Sequence, residues 1–142
     1  MASRRKARIL AFQALYAWEV SHASLDELLG FSWVEEGKIG QMEEELLTFS
    51  KFIIVGVMEN KKALDAAIEK HLSHWPFERI KKVDLAILRM GAYCLMFQHD
   101  IPPGITIDEA IEISKEFGSD DSYKFINGVL DGIRKDLTND KD

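Results

Sequence analysis

The chain has 142 residues with a formal net charge of -6, 46% hydrophobic and 30% charged residues, and a single cysteine. That is enough apolar material for one domain with its own core. It excludes a membrane-spanning helix, because Lys, Glu or Asp interrupts every apolar run short of the ~20 residues needed. It also excludes an internal disulfide, which fits a reducing cytoplasm.

The acidic balance further excludes nucleic-acid binding over the whole surface, so any such binding must be local. The first eight residues are the one strongly basic place, with Arg4, Arg5, Lys6 and Arg8 and no acid among them. They do not form a secretory signal, since Gln13 and Glu19 break the apolar run and no small-residue cleavage site follows.

The charges open an amphipathic helix predicted from a Ser3 cap to about Val20. A helix N-terminus carries about +0.5 of an elementary charge, so exposed cations there lose ~0.3–1 kcal/mol each. Folding gives no reason for them. An external anion does, and a polyphosphate chain such as RNA is the leading candidate. Ala7, Leu10, Ala11, Ala14 and Trp18 make one face of this helix. Arg5, Arg8, Phe12 and Tyr16 make a second, as in a helix set between a core and a partner, or buried on both sides.

Ser24 is placed to cap a short helix through Leu29, and Gly30 to Gly40 reads as a loop holding Phe31 and Trp33. Glu43, Glu44 and Glu45 lead a helix with Leu46, Phe49, Ile53 and Val57 at helical spacing. Another starts near Lys61, carries Leu64, Ala67, Ile68 and Leu72, and is predicted to end at Trp75-Pro76. His71 and His74, three apart on it, read as a surface pair, with a metal site the rarer alternative in the absence of further ligands.

From about Lys82 to Gln98 the pattern is apolar nearly all round, which predicts a central, enclosed helix. Cys94 within it reads as an inert buried thiol, with nothing nearby to lower its pKa. Arg89 is expected in an internal ion pair or on a carbonyl. For Asp84, near the helix start, a dipole contact and a partner contact remain open.

Ile101-Pro102-Pro103-Gly104 is a break, and Thr106 to Glu109 matches a capping box. Ile107, Ala110, Ile111 and Phe117 are expected to face inward, and Gly118 to stop the helix. Ser119 or Ser122 would cap the last helix, with Tyr123, Ile126, Val129, Leu130, Ile133 and Leu137 as its stripe and Thr138 to Asp142 as a frayed tail. Phe125 lies one position off that stripe beside Lys124, either as core or as a platform for a base. Gly128 costs ~1 kcal/mol against Ala in a helix, which predicts close approach of another backbone. The total is an all-α chain of about seven helices in one domain. No phosphate-cradling loop, zinc motif or catalytic constellation stands out, so neither a cofactor, nor a metal, nor an enzymatic activity is expected.

Four blocks carry a family resemblance: Arg4-Arg5-Lys6-Ala7-Arg8 with Gln13-Ala14-Leu15-Tyr16, Val83 to Arg89, Ile107 to Glu112, and Lys124 to Asp131. In this order they resemble the bacterial NusB antitermination family over nearly the whole chain. The resemblance does not extend to Gly30–Gly40, and Cys94 stands where the family commonly has an acid. It implies two helical bundles set across each other and a non-enzymatic role. That role is to bind, with the ribosomal protein NusE, the single-stranded boxA element of nascent RNA, so that RNA polymerase reads through terminators, notably in rRNA operons. Carried over by position, it implies RNA contacts at Arg4, Arg5, Lys6, Arg8, Tyr16, Lys124 and Phe125. NusE- or RNA-facing positions are Tyr16, Asp84 and Asp121. Two rival readings are a helical module of an rRNA methyltransferase, which would require this chain to be a fragment, and an adaptor that binds protein only. Exposed apolar residues on the first helix would serve a homodimer or a heterodimer equally.

Overall fold

The computed structural model describes residues 4–31, 34 and 42–139, and these contain seven α-helices and no strand. They are α1 (Arg4–Ser21), α2 (Leu25–Leu29), α3 (Glu44–Glu59), α4 (Lys61–Lys70), α5 (Lys82–Phe97), α6 (Pro103–Phe117) and α7 (Ser122–Asn139). A 3-10 turn, Phe77–Arg79, precedes α5. Ser3, Trp33 and most of the Gly30–Gly40 loop lie outside the described residues.

Helix α5 is the centre. All but its ends are buried, and it packs against α1, α3, α4, α6 and α7. Helices α1 and α3 form one group with it, α6 and α7 another. Its one buried cation is matched. The Arg89 side chain is 2% exposed and donates two hydrogen bonds to Asp65 of α4, at 2.8 and 3.0 Å, and one to Glu19 of α1, at 3.1 Å. This is the internal ion pair expected from its position, and it joins three helices. Cys94 is buried as well, and burial pushes its thiol up to about 12.

Helix ends differ from the sequence expectation in three places. Helix α4 stops at Lys70, not at Trp75-Pro76. His71 therefore caps it and His74 sits in a turn at φ 63°, so the two histidines do not share a helix. His71 instead pairs with Asp136 of α7 at 2.7 Å. Helix α6 starts at Pro103, whose fixed φ suits a first turn. Thr106 is thus inside the helix rather than its cap, and its buried Oγ1 has no partner among the described residues. Helix α7 continues through Thr138 and Asn139, which the expected frayed tail included.

Ser24 does cap α2, accepting the Glu27 N–H at 3.3 Å. Gly118 does end α6. Its N–H donates to the Ser114 carbonyl at 2.8 Å. The close approach expected at Gly128 is absent: a Cβ there would meet nothing within 4 Å. It occurs one turn later, at Gly132, against the His71 ring.

Candidate nucleic-acid interface

Helix α1 has no acid in its first turn, and its inner face is lined by Ala7, Ala11 and Ala14, all fully buried. These small residues let the helix sit close to α3 and α5, while Arg4, Arg5 and Lys6 stay exposed. Arg8 does not. It is only 5% exposed, its guanidinium lies 5.3 Å from the Phe49 ring centroid, and its Nε has no partner among the described residues. Burial is the main influence on it and pulls its pKa below the usual value. The second face expected for α1 is therefore split: Arg8 and Phe12 are covered, Arg5 and Tyr16 are open.

Arg4 also lies over Phe49, at 4.8 Å. Arg5 is held by Glu109 of α6, with Nε donating at 2.7 Å and a second N–H at 3.1 Å. The hydrogen bond from Arg5 is the main reason the Glu109 carboxyl sits below its usual value. Further along, the Phe12 ring meets Phe117 at 5.2 Å, leaving Phe117 partly exposed rather than turned inward. The two contacts are seven residues apart on α1 and eight on α6, so the two helices run in the same direction. Helix α6 thus leads from the basic start of α1 to the start of α7.

The α6–α7 corner is tied by serines. The Ser119 N–H donates to Ser122 Oγ at 3.0 Å, and Lys81 Nζ donates to Ser119 Oγ at 3.1 Å. Past this corner α7 shows an exposed Lys124 and a half-buried Phe125. Both line a cavity of about 580 Å³ between the start of α7, the start of α5 and the loop after α4. Asp84 and Asp121 line it too. Four of the residues expected to be functional are thereby brought together, while Arg4, Arg5, Lys6, Arg8 and Tyr16 stand apart from the cavity, on α1.

Sequence reasoning missed three other residues of this wall: Trp75, Arg79 and Lys81. A signal was present in the basic run Arg79, Lys81, Lys82 just before the central helix, and in a tryptophan next to a proline. It missed Glu109 as well, having assigned it to the capping box. Exposed apolar residues are not confined to α1. Phe52 of α3 and Phe97 of α5 border a smaller hollow of about 340 Å³. Among the described residues no cluster of potential metal ligands occurs, and no helix is long and apolar enough to cross a membrane.

Residues 5–135 match the model of the NusB family. A transcription antitermination protein NusB of Treponema denticola is 50% identical over 131 residues, 92% of this chain and 95% of the relative. That of Borreliella burgdorferi is 38% identical, covering 92% of each chain. Among solved structures, T. maritima NusB superposes with a TM-score of 0.84 at 34% identity, over 94% of this chain and 92% of that one. A crystal structure of antitermination factors NusB and NusE in complex with dsRNA gives 0.82 at 29% identity, over 94% and 96%.

Proposed function

The chain belongs to the NusB family of transcription antitermination proteins, and from this premise we propose that it acts by holding nascent boxA RNA, together with NusE, within the antitermination complex of RNA polymerase. It is an RNA-binding factor and not an enzyme, and its place of work is the cytoplasm. A solved relative named as antitermination factors NusB and NusE in complex with dsRNA supports the choice of NusE and RNA as partners.

One observation carries the RNA reading. Three exposed cations, Arg4, Arg5 and Lys6, crown a helix end that has no acid in its first turn, on a chain of net charge -6. Helix α6 connects that end to Lys124 and Phe125. The cations neutralise phosphates, and Phe125 and Tyr16 offer aromatic faces to unstacked bases. Asp84 and Asp121 supply the acidic counterpart for a basic ribosomal protein or for RNA donor groups. The rest of the surface is acidic on balance, so the chain alone binds weakly and NusE adds the missing positive field. The methyltransferase-module reading has no such support: relatives matched over 91–98% of their own length are named transcription antitermination protein NusB.

The test is a titration with boxA RNA and a scrambled RNA, with and without NusE. Preference for boxA that strengthens with NusE supports the reading. Equal binding to both RNAs overturns the boxA reading, and NusE binding without any RNA binding overturns it in favour of a protein-only adaptor.

A further inference from the structure

We propose that the hollow between α3 and α5 is a stacking site for a nucleotide that flanks boxA, so that the bound RNA runs past Arg4 onto Phe52 and Phe97. The proposal rests on the RNA-binding reading above. It extends that reading to a face of the molecule away from the cavity between α5 and α7.

The face is apolar and open among the described residues. Phe52 of α3 is 64% exposed, and Phe97, the last residue of α5, is 44% exposed. Single apolar residues on a surface are ordinary. Here two phenylalanines border one hollow of about 340 Å³. The Tyr93 ring stacks on that of Phe97, with centroids 5.5 Å apart and planes at 26°. Gly56 lets the Tyr93 ring lie against α3, where a Cβ would run into it. The hollow therefore has an aromatic floor as well as aromatic rims.

Continuity with the basic start of α1 points to the occupant. Arg4 and Arg5 diverge: Arg5 turns to Glu109 of α6, whereas the Arg4 guanidinium lies 4.8 Å from the Phe49 ring centroid on α3. Phe49 and Phe52 are three apart on α3 and so neighbours on its surface. Arg4, Phe49, Phe52 and Phe97 thus form a path from a cation offered to phosphate to two open rings. The exposed Lys51 borders the hollow beside Phe52. A cation next to open aromatic faces is how single strands are commonly held. Among the described residues, the one acid lining the hollow is Glu59, at the far end of α3.

The lining has rings but few directional groups. Asn60 already donates its side-chain amide to the Gly56 carbonyl at 2.7 Å. Stacking tolerates any base, because every base has a π-face. The site therefore holds a flanking base without selecting it, and tethers the transcript on the side of α1 away from Glu109. A second copy of this chain is the competing occupant of such a face, and the experiment separates the two.

The experiment uses the full chain with NusE and three kinds of RNA: boxA alone, boxA with a few nucleotides added at one end, and the same extension without bases. The abasic extension carries the same added phosphates, so the difference between the last two isolates stacking. Each end is extended in turn. At one end, bases tighten wild-type binding about tenfold over the abasic extension, the order expected for one stacked base. Phe52→Ala reduces that difference to less than about twofold and leaves affinity for boxA alone unchanged. It does not lower Tm, since Phe52 is mostly exposed and Ala favours a helix. Phe97→Leu, which keeps apolar packing at the end of α5, has the same effect on binding. Lys51→Gln flattens the salt slope by about 0.7 for the extended RNAs only. Bases that add nothing at either end, or a gain that survives both phenylalanine variants, overturns the site alone. So does a Phe52→Ala variant that weakens boxA alone, since Phe52 then touches boxA or NusE. A wild type that sediments as a dimer without RNA, and becomes monomeric with Phe52→Ala, also overturns the site, because a second copy then covers the face. A wild type that binds no RNA overturns the RNA reading and the site with it.

Discussion

The Arg5 guanidinium grips Glu109 with two hydrogen bonds, at 2.7 and 3.1 Å, across 104 residues of sequence. The cation offered to RNA is therefore already engaged, and a phosphate must compete with a carboxylate. An exposed pair of this kind is weak, because solvent screens it. Glu109→Gln should tighten RNA binding by up to about fivefold, measured by titration at neutral pH. Weaker binding would show that Glu109 positions Arg5 instead. The sign of the pH effect follows from the depressed Glu109 value. The pair's contribution to folding is fully present above the ordinary carboxyl value of 4.5 and is lost as pH falls through the lower, folded-state value.

The inward turn of Arg8 changes the expected salt dependence. Each phosphate contact with single-stranded RNA adds about -0.7 to the slope of log affinity against log salt. Arg4, Arg5 and Lys6 together give about -2, where four exposed cations would give about -3. Lys6→Gln should flatten the slope by about 0.7. Arg8→Gln should leave it nearly unchanged while lowering Tm, as its stacking on Phe49 is lost.

Phe125 is both core and surface, so truncation to Ala confuses two roles. Phe125→Leu separates them. Leu keeps most of the buried volume and should cost less than ~1.5 kcal/mol of stability. If the ring stacks on a base, RNA binding should fall by about 1–3 kcal/mol. Unchanged RNA affinity would make Phe125 a packing residue only.

Removing one side of the buried ion pair should hurt unequally. Asp65→Ala leaves the fully enclosed Arg89 with Glu19 and the Trp18 ring, 5.8 Å away, at a cost of about 3 kcal/mol. Arg89→Met leaves Asp65, 18% exposed, still near Lys61 at 3.3 Å, and should cost less. Chemical denaturation of the two variants checks the order.

Two glycines should respond in opposite directions to alanine. At Gly56 a Cβ would run into the Tyr93 ring, so Gly56→Ala should destabilise by about 1–3 kcal/mol. At Gly128 the space is open, so Gly128→Ala should stabilise by about 0.5–1 kcal/mol through helix propensity. Thermal melts of both variants suffice.

Most of the fold was legible because the apolar spacing is helical and strong. The enclosed character of α5, the Ser24 cap and the Gly118 stop all follow from local residues. What was not legible depends on contacts far apart in sequence. Glu109 looks like half of a capping box until α1 is laid along α6. The face of α1 on which Arg8 lies looks exposed until α3 brings Phe49 over it. Nothing local separates a glycine that admits a neighbour, such as Gly132, from one that faces open space, such as Gly128. Of the candidate site, the charges and aromatics were legible one by one. The cavity wall was not, since it draws on three separated stretches, and Trp75 was read only as a helix stop.

The alanines under α1 have a kinetic consequence. The cations ride on a rod already anchored against α3 and α5, so no segment of α1 has to become ordered when a transcript arrives. Capture then proceeds at the pace of charge-guided diffusion, faster in dilute buffer and slower in concentrated salt, with no lag from a folding step.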